Sequence, residues 1–423
     1  MPPRRVYVDL STAFAERNRI PHGTTRVERK LIEALAKLGR DNIFFARFDI
    51  RNRQFVSMSS AEALATATTV PVADARRQAR ASTITHPFRA RLLELEVWVR
   101  RNVRDPIRRV RGWLIRKSGL TPNIFEPGSV LLLAGELQRQ DFGQLMALRR
   151  RLDLRLVFVF YDLLGTLSNN DPRALDPNAT NIPGTEFILR EGALVLPISH
   201  YSETELRNHA AKRGMSLMPV QTIRLGHLID DVQDIGSVAG LTTGQFVLSV
   251  GDVTHRKNHK VLTDIWSALA GERGTSLIPL VIAGRISTDG QPLAAAIAAD
   301  AVASKVITIL SDVDDAKLNW LYRNCRFTLF PSFCEGFGLP VAESLAFGKP
   351  CIASNATSIP EASQGVALHL DPHDASAWRS AIEEFLDDDA ALARLQQDIA
   401  MRFRPVSWNQ TAEDALLAIS GTT

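Results

Sequence analysis

Apolar residues run along this chain in two alternating rhythms. Short apolar runs bounded by turn-forming residues predict buried strands, and longer stretches with apolar positions every three to four residues predict amphipathic helices. In the first half the expected strands are Val6–Leu10, Ile43–Phe48, Val130–Ala134, Leu156–Phe160, Leu194–Ile198 and Gln221–Arg224. Helices are expected at Arg26–Lys37, Phe142–Arg151 and Ser202–Arg213. A second series of strands follows at Phe246–Val250, Leu280–Ala283, Val306–Leu310, Phe327–Phe330, Pro350–Ala353 and Ala367–Leu370. Its helices are expected at His259–Leu269, Pro292–Ala303, Asp315–Arg323, Pro340–Ala346, Ala375–Asp387 and Ala391–Met401. Strands that alternate with helices in this way imply an α/β fold with two doubly wound sheets. The join falls near Asp230–Thr243, where acidic residues and glycines break both rhythms. The stretch 54–122 fits the alternation poorly, being rich first in Ala and Thr and then in Arg, and reads as an insertion with one or two helices.

Composition narrows the picture. The 423 residues are 45% hydrophobic and 23% charged, as expected of a globular chain long enough for two domains. Cys325, Cys334 and Cys351 lie in apolar stretches without the spacing of a zinc or redox site, so they read as buried free thiols. No run of about 20 apolar residues follows the start or occurs later, so neither a signal peptide nor a membrane span is expected, and a cytoplasmic location is. The net charge of +4 hides an uneven distribution. Residues 76–117 hold thirteen Arg or Lys against three acids.

Two stretches carry candidate chemistry. From Phe330 to Pro350 a strand ends, a turn with Gly336 and Gly338 follows, and a helix opens with Pro340 near its first position. The amides of that helix start can receive an anion, and the glycines allow close backbone approach. Glu335 and Glu343 are spaced so that both can face one cleft. One carboxylate could grip ribose hydroxyls and the other sugar hydroxyls; two solvated glutamates beside a capped helix is the alternative. The second stretch runs from Val247 to Asn258. Its strand ends at Gly251, which places Arg256 and Lys257 at the C-terminal edge of the sheet, where ligands bind in this architecture. Two cations there could hold a diphosphate and stabilise a departing nucleotide, or stand solvated in a turn.

The order and wording of these stretches resemble the retaining nucleotide-sugar glycosyltransferases of family 4, from Phe246 to about Pro372. The resemblance includes Ala283-Gly284-Arg285, Leu318 to Tyr322, Pro331-Ser332, the paired glutamates, and Ser354 to Glu361. It implies a GT-B fold, with two Rossmann-like domains facing across a cleft. Residues 1–229 would bind the acceptor, 230–404 the nucleotide-sugar, and 405–423 would cross back to the first domain. By the same resemblance Arg256 and Lys257 hold the phosphates and Glu343 the ribose. Glu335 and the amides of Gly336, Phe337, Gly338 and Leu339 hold the donor sugar, with Gly251, Gly284 and Arg285 lining the donor site. Some relatives carry an arginine directly after the strand-ending glycine, where this chain has Asp252; that puts more of the phosphate contact on Arg256 and Lys257. In the first half, Gly23, Thr24, Thr25 and Arg26 resemble the glycine loop of a subgroup acting on bacterial surface polysaccharides. Asp162, in Phe160-Tyr-Asp-Leu-Leu164, matches that subgroup's Tyr-Asp-Leu segment and would face the acceptor. Pro197 to Ser202 resembles the family's Ser-x-x-Ser segment, as helix cap or ligand contact. Catalysis is expected to rest on Asp162, Arg256, Lys257 and Glu335.

The expected reaction is glycosyl transfer with retention. The donor is a nucleotide-sugar, with GDP-mannose favoured by the wording of Ser354 to Glu361, and the acceptor is a glycan or a lipid-linked glycan. A sugar-nucleotide epimerase would need acid and base residues for C–H chemistry that the motifs do not provide. A non-catalytic scaffold would not need the intact donor motif. No cofactor and no metal are expected: Asp312 and Asp314 have the spacing of a metal-diphosphate motif but directly precede a helix, where acids act as caps. The basic stretch 76–117, with Trp98 and Trp113 among its arginines, suits either a surface helix on an anionic membrane or a solvated helical hairpin. Nucleic acid is not an expected partner.

Overall fold

The computed structural model describes residues 4–21, 23–50, 54–69, 124–136, 142–163, 182–229, 235–238 and 240–421. The basic stretch 76–117, with the readings attached to it, lies outside the described residues. Two six-stranded sheets form. The first comprises β1 (Val6–Asp9), β2 (Ile43–Asp49), β3 (Gln54–Met58), β4 (Val130–Leu133), β5 (Arg155–Phe160) and β6 (Leu194–Pro197), in the order β3-β2-β1-β4-β5-β6. The second comprises β7 (Val247–Val250), β8 (Leu280–Ala283), β9 (Ile307–Leu310), β10 (Thr328–Phe330), β11 (Cys351–Ser354) and β12 (Leu368–Leu370), in the order β12-β11-β10-β7-β8-β9. Each sheet therefore reverses direction next to its own first strand, between β1 and β4 and between β7 and β10. That reversal is the switch point at which doubly wound sheets bind ligands, outside the carboxyl ends of the strands.

The chain divides into two compact units, Met1–Phe158 and Val159–Thr423, with the division inside β5. In the first unit β1, β2 and β4 run parallel, and helix Gly23–Leu38 turns Val27, Leu31, Ile32 and Leu35 inward. In the second unit the sheet is covered on one face by helices His259–Arg273 and Ala375–Asp387, which bury Trp266 and Trp378 completely. Helix Asp315–Asn324 covers the other face with Leu318, Leu321 and Tyr322. The last helix, Trp408–Gly421, packs on the segment 224–228: Asp414 pairs with Arg224 at 2.8 Å, and Trp408 Nε1 donates to the Leu228 carbonyl. Gly226 has no room for a side chain, since a Cβ would lie 2.7 Å from the Trp408 indole. Cys325, Cys334 and Cys351 are free and buried, and burial pushes their thiols up to about 12, 11 and 12. Among the described residues no helix is long and apolar enough to cross a membrane.

Three expectations need correction. Residues 54–58 form a strand where only helices are expected. Gln54–Met58 pairs antiparallel with β2, and helix Ser60–Thr68 follows from a capping box between Ser59 and Glu62. Gln221–Arg224 is not a regular strand: the chain meets β6 in an isolated parallel bridge between Val195 and Val220, with bonds from the amides of Val195, Gln221 and Ile223, and then turns to Asp414. The helix expected at Pro292–Ala303 stops at Ala299, because the Asp300 side chain accepts from the amides of Val302 and Ala303 and starts a new turn. Helices Ser11–Ala15 and Ile182–Glu191 were not foreseen.

Candidate active site

Glycine geometry brings the strand exits of the second sheet together. β7 ends at Gly251, whose φ of +150° suits glycine, and a Cβ there would lie 3.3 Å from Lys257 Cε. A Cβ at Gly284, at the exit of β8, would overlap the Gly251 carbonyl. Across this contact Asp252 accepts from the Arg285 amide at 3.1 Å and from its guanidinium at 2.7 Å. Asp252 and Arg285 thus form an ion pair that joins the exits of β7 and β8.

The chain then makes a single helical turn at His255–Lys257, closed by Asn258 in the left-handed region at φ 54°. The Asn258 side chain donates to the carbonyls of Pro331 and Pro372 and so ties the turn to the exit of β10. The Phe333 amide donates to the Arg256 carbonyl, which adds a second tie. Arg256 and Lys257 consequently point at Glu335. Arg256 NH1 lies 2.8 Å from Glu335 Oε2, and Lys257 Nζ lies 2.7 Å from Oε1. Arg256 NH1 also donates to the Cys334 carbonyl at 2.6 Å, and Lys257 Nζ sits 4.7 Å over the Phe330 ring.

The electrostatics follow from burial and charge in opposition. Burial alone would raise the Glu335 carboxyl, but the Arg256 and Lys257 charges outweigh it and pull it down to about 2. For Arg256 burial lowers and Glu335 raises, with a net upward shift. For Lys257 burial prevails over Glu335, and repulsion from Arg256 adds to it, so the ammonium is lowered. The two cations are thus held against one carboxylate, and the site as a whole favours anions. Beneath it His259 is lowered to about 3 by burial first and by Lys257 next, and is neutral. Ser249 Oγ, Thr254 Oγ1, His259 Nδ1 and Ser332 Oγ, all close to the exits of β7 and β10, are buried without hydrogen-bond partners. Such orphans mark a place for ordered water.

The glutamate pair separates by environment. Neither residue is solvated: Glu335 is 7% and Glu343 1% exposed. Glu335 lies in the loop before helix Leu339–Ala346, and Glu343 lies inside that helix, where it accepts from the Tyr322 hydroxyl at 2.9 Å. Gly338 precedes the helix at φ +104°. The loop is pinned by the Glu335 amide donating to Thr357 Oγ1 and by Ser358 Oγ donating to the Glu335 carbonyl. Gly336 is pressed against the segment after β5: a Cβ would lie 2.6 Å from Asp162 Oδ2. Its carbonyl accepts from Ser199 Oγ at 2.7 Å and Ser202 Oγ at 3.1 Å. Glu361 accepts from the amides of His200 and Tyr201 and so caps helix His200–Lys212.

Gly251, Arg256, Lys257, Glu335, Gly336 and Asp162 therefore converge within the second unit, with Gly284 and Arg285 joined through Asp252. Gly23, Thr24, Thr25 and Arg26 open helix Gly23–Leu38 in the first unit. Two groups were missed. Tyr322 closes the Leu318-to-Tyr322 stretch of the resemblance, but the bond from its hydroxyl to Glu343 is not legible in the sequence. Glu28, five residues after Gly23, is fully buried, with Oε1 accepting from the Ala13 amide at 3.1 Å and Oε2 unpartnered. Asp314 caps helix Asp315–Asn324 through the Lys317 amide at 2.9 Å. Among the described residues no group of three His, Cys, Asp or Glu could hold a metal ion.

Comparison with known proteins places this geometry. Residues 235–401 match the model of the family described as glycosyl transferases group 1. The serotype-specific mannosyltransferase WbdA of Escherichia coli is 31% identical over 180 residues, 42% of this chain and 22% of that protein. The D-inositol 3-phosphate glycosyltransferase of Mycolicibacterium smegmatis is 34% identical over 189 residues, 43% of this chain and 41% of that protein. The chain thus spans well under half of the length of these relatives. Among solved structures, Anabaena HepE in complex with UDP superposes with a TM-score of 0.61 at 14% identity, covering 99% of this chain and 100% of that one. Sucrose-phosphate synthase from Thermosynechococcus elongatus gives 0.63 at 18% identity, with 99% of both chains covered. These likenesses establish the GT-B fold with its two Rossmann-like sheets. Within that fold, residues 235–401, which hold the second sheet and its strand exits, are the part similar to the group 1 glycosyl transferases.

Proposed function

We propose that this chain is a glycosyltransferase that takes a hexose from a nucleotide-sugar and passes it to a glycan or lipid-linked acceptor in polysaccharide synthesis. The observation that carries the reading is the Arg256–Lys257–Glu335 cluster at the switch point of the second sheet, with Lys257 and Glu335 nearly buried and Arg256 partly open to solvent. There the two cations suit a diphosphate, and Glu335 with the loop Gly336–Leu339 suits the donor sugar. Glu343, oriented by Tyr322, would accept from the ribose hydroxyls. Gly251 and Gly284 keep the floor of the site open to the phosphates, and Arg285 borders it.

In the proposed reaction the bond between the anomeric carbon and the β-phosphate oxygen breaks, and its electron pair leaves with the diphosphate. Arg256 and Lys257 stabilise that developing charge. The acceptor oxygen bonds to the anomeric carbon on the same face, and its proton passes to a diphosphate oxygen, so configuration is retained. Asp162, beside Gly336, would orient the acceptor, with Gly23, Thr24, Thr25 and Arg26 of the first unit as further acceptor contacts. The division of labour proposed is acceptor binding by 1–229, donor binding by 230–404, and a closing helix in 405–423. Mannose from GDP-mannose is the preferred donor, supported by the E. coli mannosyltransferases among the relatives. A cytoplasmic enzyme resting on an anionic membrane through residues 76–117 would meet a lipid-linked acceptor.

The test is a thermal-shift and hydrolysis screen against nucleotide-sugars with EDTA present. GDP-mannose should raise the melting temperature most and release mannose slowly, and the anomeric signal of a transferred product should be α. If no nucleotide or nucleotide-sugar stabilises the protein at millimolar concentration, with or without added metal, the reading fails.

A further inference from the structure

The place between the two cations already holds an anion. One carboxylate spans both of them, Glu335 Oε2 to Arg256 at 2.8 Å and Oε1 to Lys257 at 2.7 Å, with only about a tenth of the Glu335 and Lys257 side chains exposed. A diphosphate would present the same kind of charged oxygens to the same donors. Resting on the nucleotide-sugar reading, we propose that Glu335 is a built-in competitor that selects the intact donor over the spent nucleotide. The incoming diphosphate displaces the carboxylate from Arg256 and Lys257, and the displaced carboxylate accepts from hydroxyls of the donor sugar. Once the sugar has been transferred, nothing holds Glu335 away, and its return to the cations expels the nucleoside diphosphate.

Three features favour exchange over a fixed strut. First, of the two close cations Lys257 is nearly buried and Arg256 is about a third exposed, at 36%. They are not readily left bare, because mutual repulsion and the desolvation of Lys257 both oppose it; one anion has to replace another. Second, the cations have supports that do not depend on Glu335. Arg256 keeps the Cys334 carbonyl at 2.6 Å, and Lys257 keeps the face of the Phe330 ring. Third, the Glu335 backbone is anchored on both sides by Thr357 and Ser358, so the exchange needs only side-chain rotation. The ligand that gains most is one offering both a diphosphate and hydroxyls within reach of the released carboxylate. A nucleoside diphosphate offers only the first.

Calorimetric titration of pyrophosphate, GDP, UDP and GDP-mannose into the wild type, Glu335→Gln and Glu335→Asp, with EDTA, tests this. Glu335→Gln should bind pyrophosphate and the nucleoside diphosphates roughly tenfold more tightly than the wild type, since an amide does not compete for the cations. The intact donor should gain less, so the wild-type preference for donor over diphosphate should shrink or reverse. Glu335→Asp, with its charge kept and its reach shortened, should fall between the two. A folded Glu335→Gln that binds these anions no better than the wild type overturns the proposal. Should that variant not fold, a wild type that binds nucleoside diphosphate as tightly as the donor overturns it equally. Failure of every nucleotide to bind the wild type would instead overturn the underlying nucleotide-sugar reading, and the two failures are thereby separable.

Discussion

The exits of β1 and β4 and the exits of β7 and β10 are the same topological place in two sheets, yet their buried carboxylates live under opposite rules. At the second exit Glu335 faces Arg256 and Lys257, stays ionised, and is pulled down to about 2. At the first, Glu28 is fully buried and raised well above the usual carboxylate range, chiefly by burial and then by the charge of Asp9, with Glu136 adding to it. Arg29 is adjacent in sequence, but its guanidinium is spent on the carbonyls of Glu16, Arg19 and Thr69. The backbone closes over Glu28 at Gly135, where a Cβ would overlap Thr12 Oγ1 and lie 2.9 Å from Glu28 Oε1. One fold thus sets a carboxylate between two cations at one switch point, proposed above as an anion receptor, and a carboxyl with a raised pKa among carboxylates at the other. Topology sets where a ligand can bind, and the charges brought to that edge decide which ligand.

The largest effect should come from breaking the cation side of the second exit. Lys257→Ala leaves Glu335 buried with one partner fewer, and losing a partner of a buried pair costs about 3 kcal/mol. It also removes a cation from the proposed leaving group, for which a drop in transfer of about 100-fold or more is expected. Urea unfolding and a single-turnover transfer assay measure the two losses. Adding Glu335→Gln to Lys257→Ala should restore part of the stability and none of the transfer. If the double variant transfers as the wild type does, the charge logic of this exit is misassigned.

A smaller effect, opposite in its pH dependence, should separate the two carboxylates. For Glu28 the folded pKa lies above the unfolded 4.5, so the folded protein holds more protons than the unfolded chain in the window above pH 4.5. Stability from this group therefore falls as pH rises, by at most about 1.4 kcal/mol per unit, until the folded pKa is reached. Glu335 has both values at or below 4.5, so its contribution is level above that and is lost only as pH falls towards about 2. Measured at pH 5, 6.5 and 8, wild-type stability relative to Glu28→Gln should decline with pH, while wild-type stability relative to Glu335→Gln stays level. Parallel lines would mean that Glu28 is ionised in the fold.

How much of this was readable beforehand depends on how far apart in the chain the partners lie. Arg256 and Lys257 are neighbours on one turn. Glu335, Gly336 and Gly338 form another short string, so each half of the second exit reads as a local pattern. What the strings do not carry is that Glu335 turns back onto both cations, a contact spanning 78 positions. The first exit is harder because Asp9, Glu28 and Glu136 come from three separate elements, and each alone resembles an ordinary surface acid. The Asp300 cap was hidden for a similar reason, since it ends one helix and starts another through two hydrogen bonds that leave the hydrophobic rhythm unchanged, whereas Asp314 was legible as a cap before its helix. The strand Gln54–Met58 hid behind the arginine-rich residues that follow it.

A third carboxylate calibrates the other two and carries the smallest expected effect. Asp314 lies past the end of β9 beside Asp312 and Asp315, and its side chain accepts from the Lys317 amide at 2.9 Å at the head of helix Asp315–Asn324. A cap of this kind is worth about 1 kcal/mol, so Asp314→Ala should lower stability by that amount. Because the work assigned to Asp314 is local, nucleotide affinity and transfer in EDTA should match the wild type. The result bears on the wider contrast, since Asp312 and Asp314 have the spacing by which one class of glycosyltransferases holds a divalent ion with the diphosphate. Asp314→Ala with transfer reduced tenfold or more, or a wild type whose transfer is lost in EDTA, would move charge neutralisation of the diphosphate from Arg256 and Lys257 to a metal. The second exit would then no longer be an anion receptor made of side chains alone, and its difference from the first would have to be redrawn around that ion.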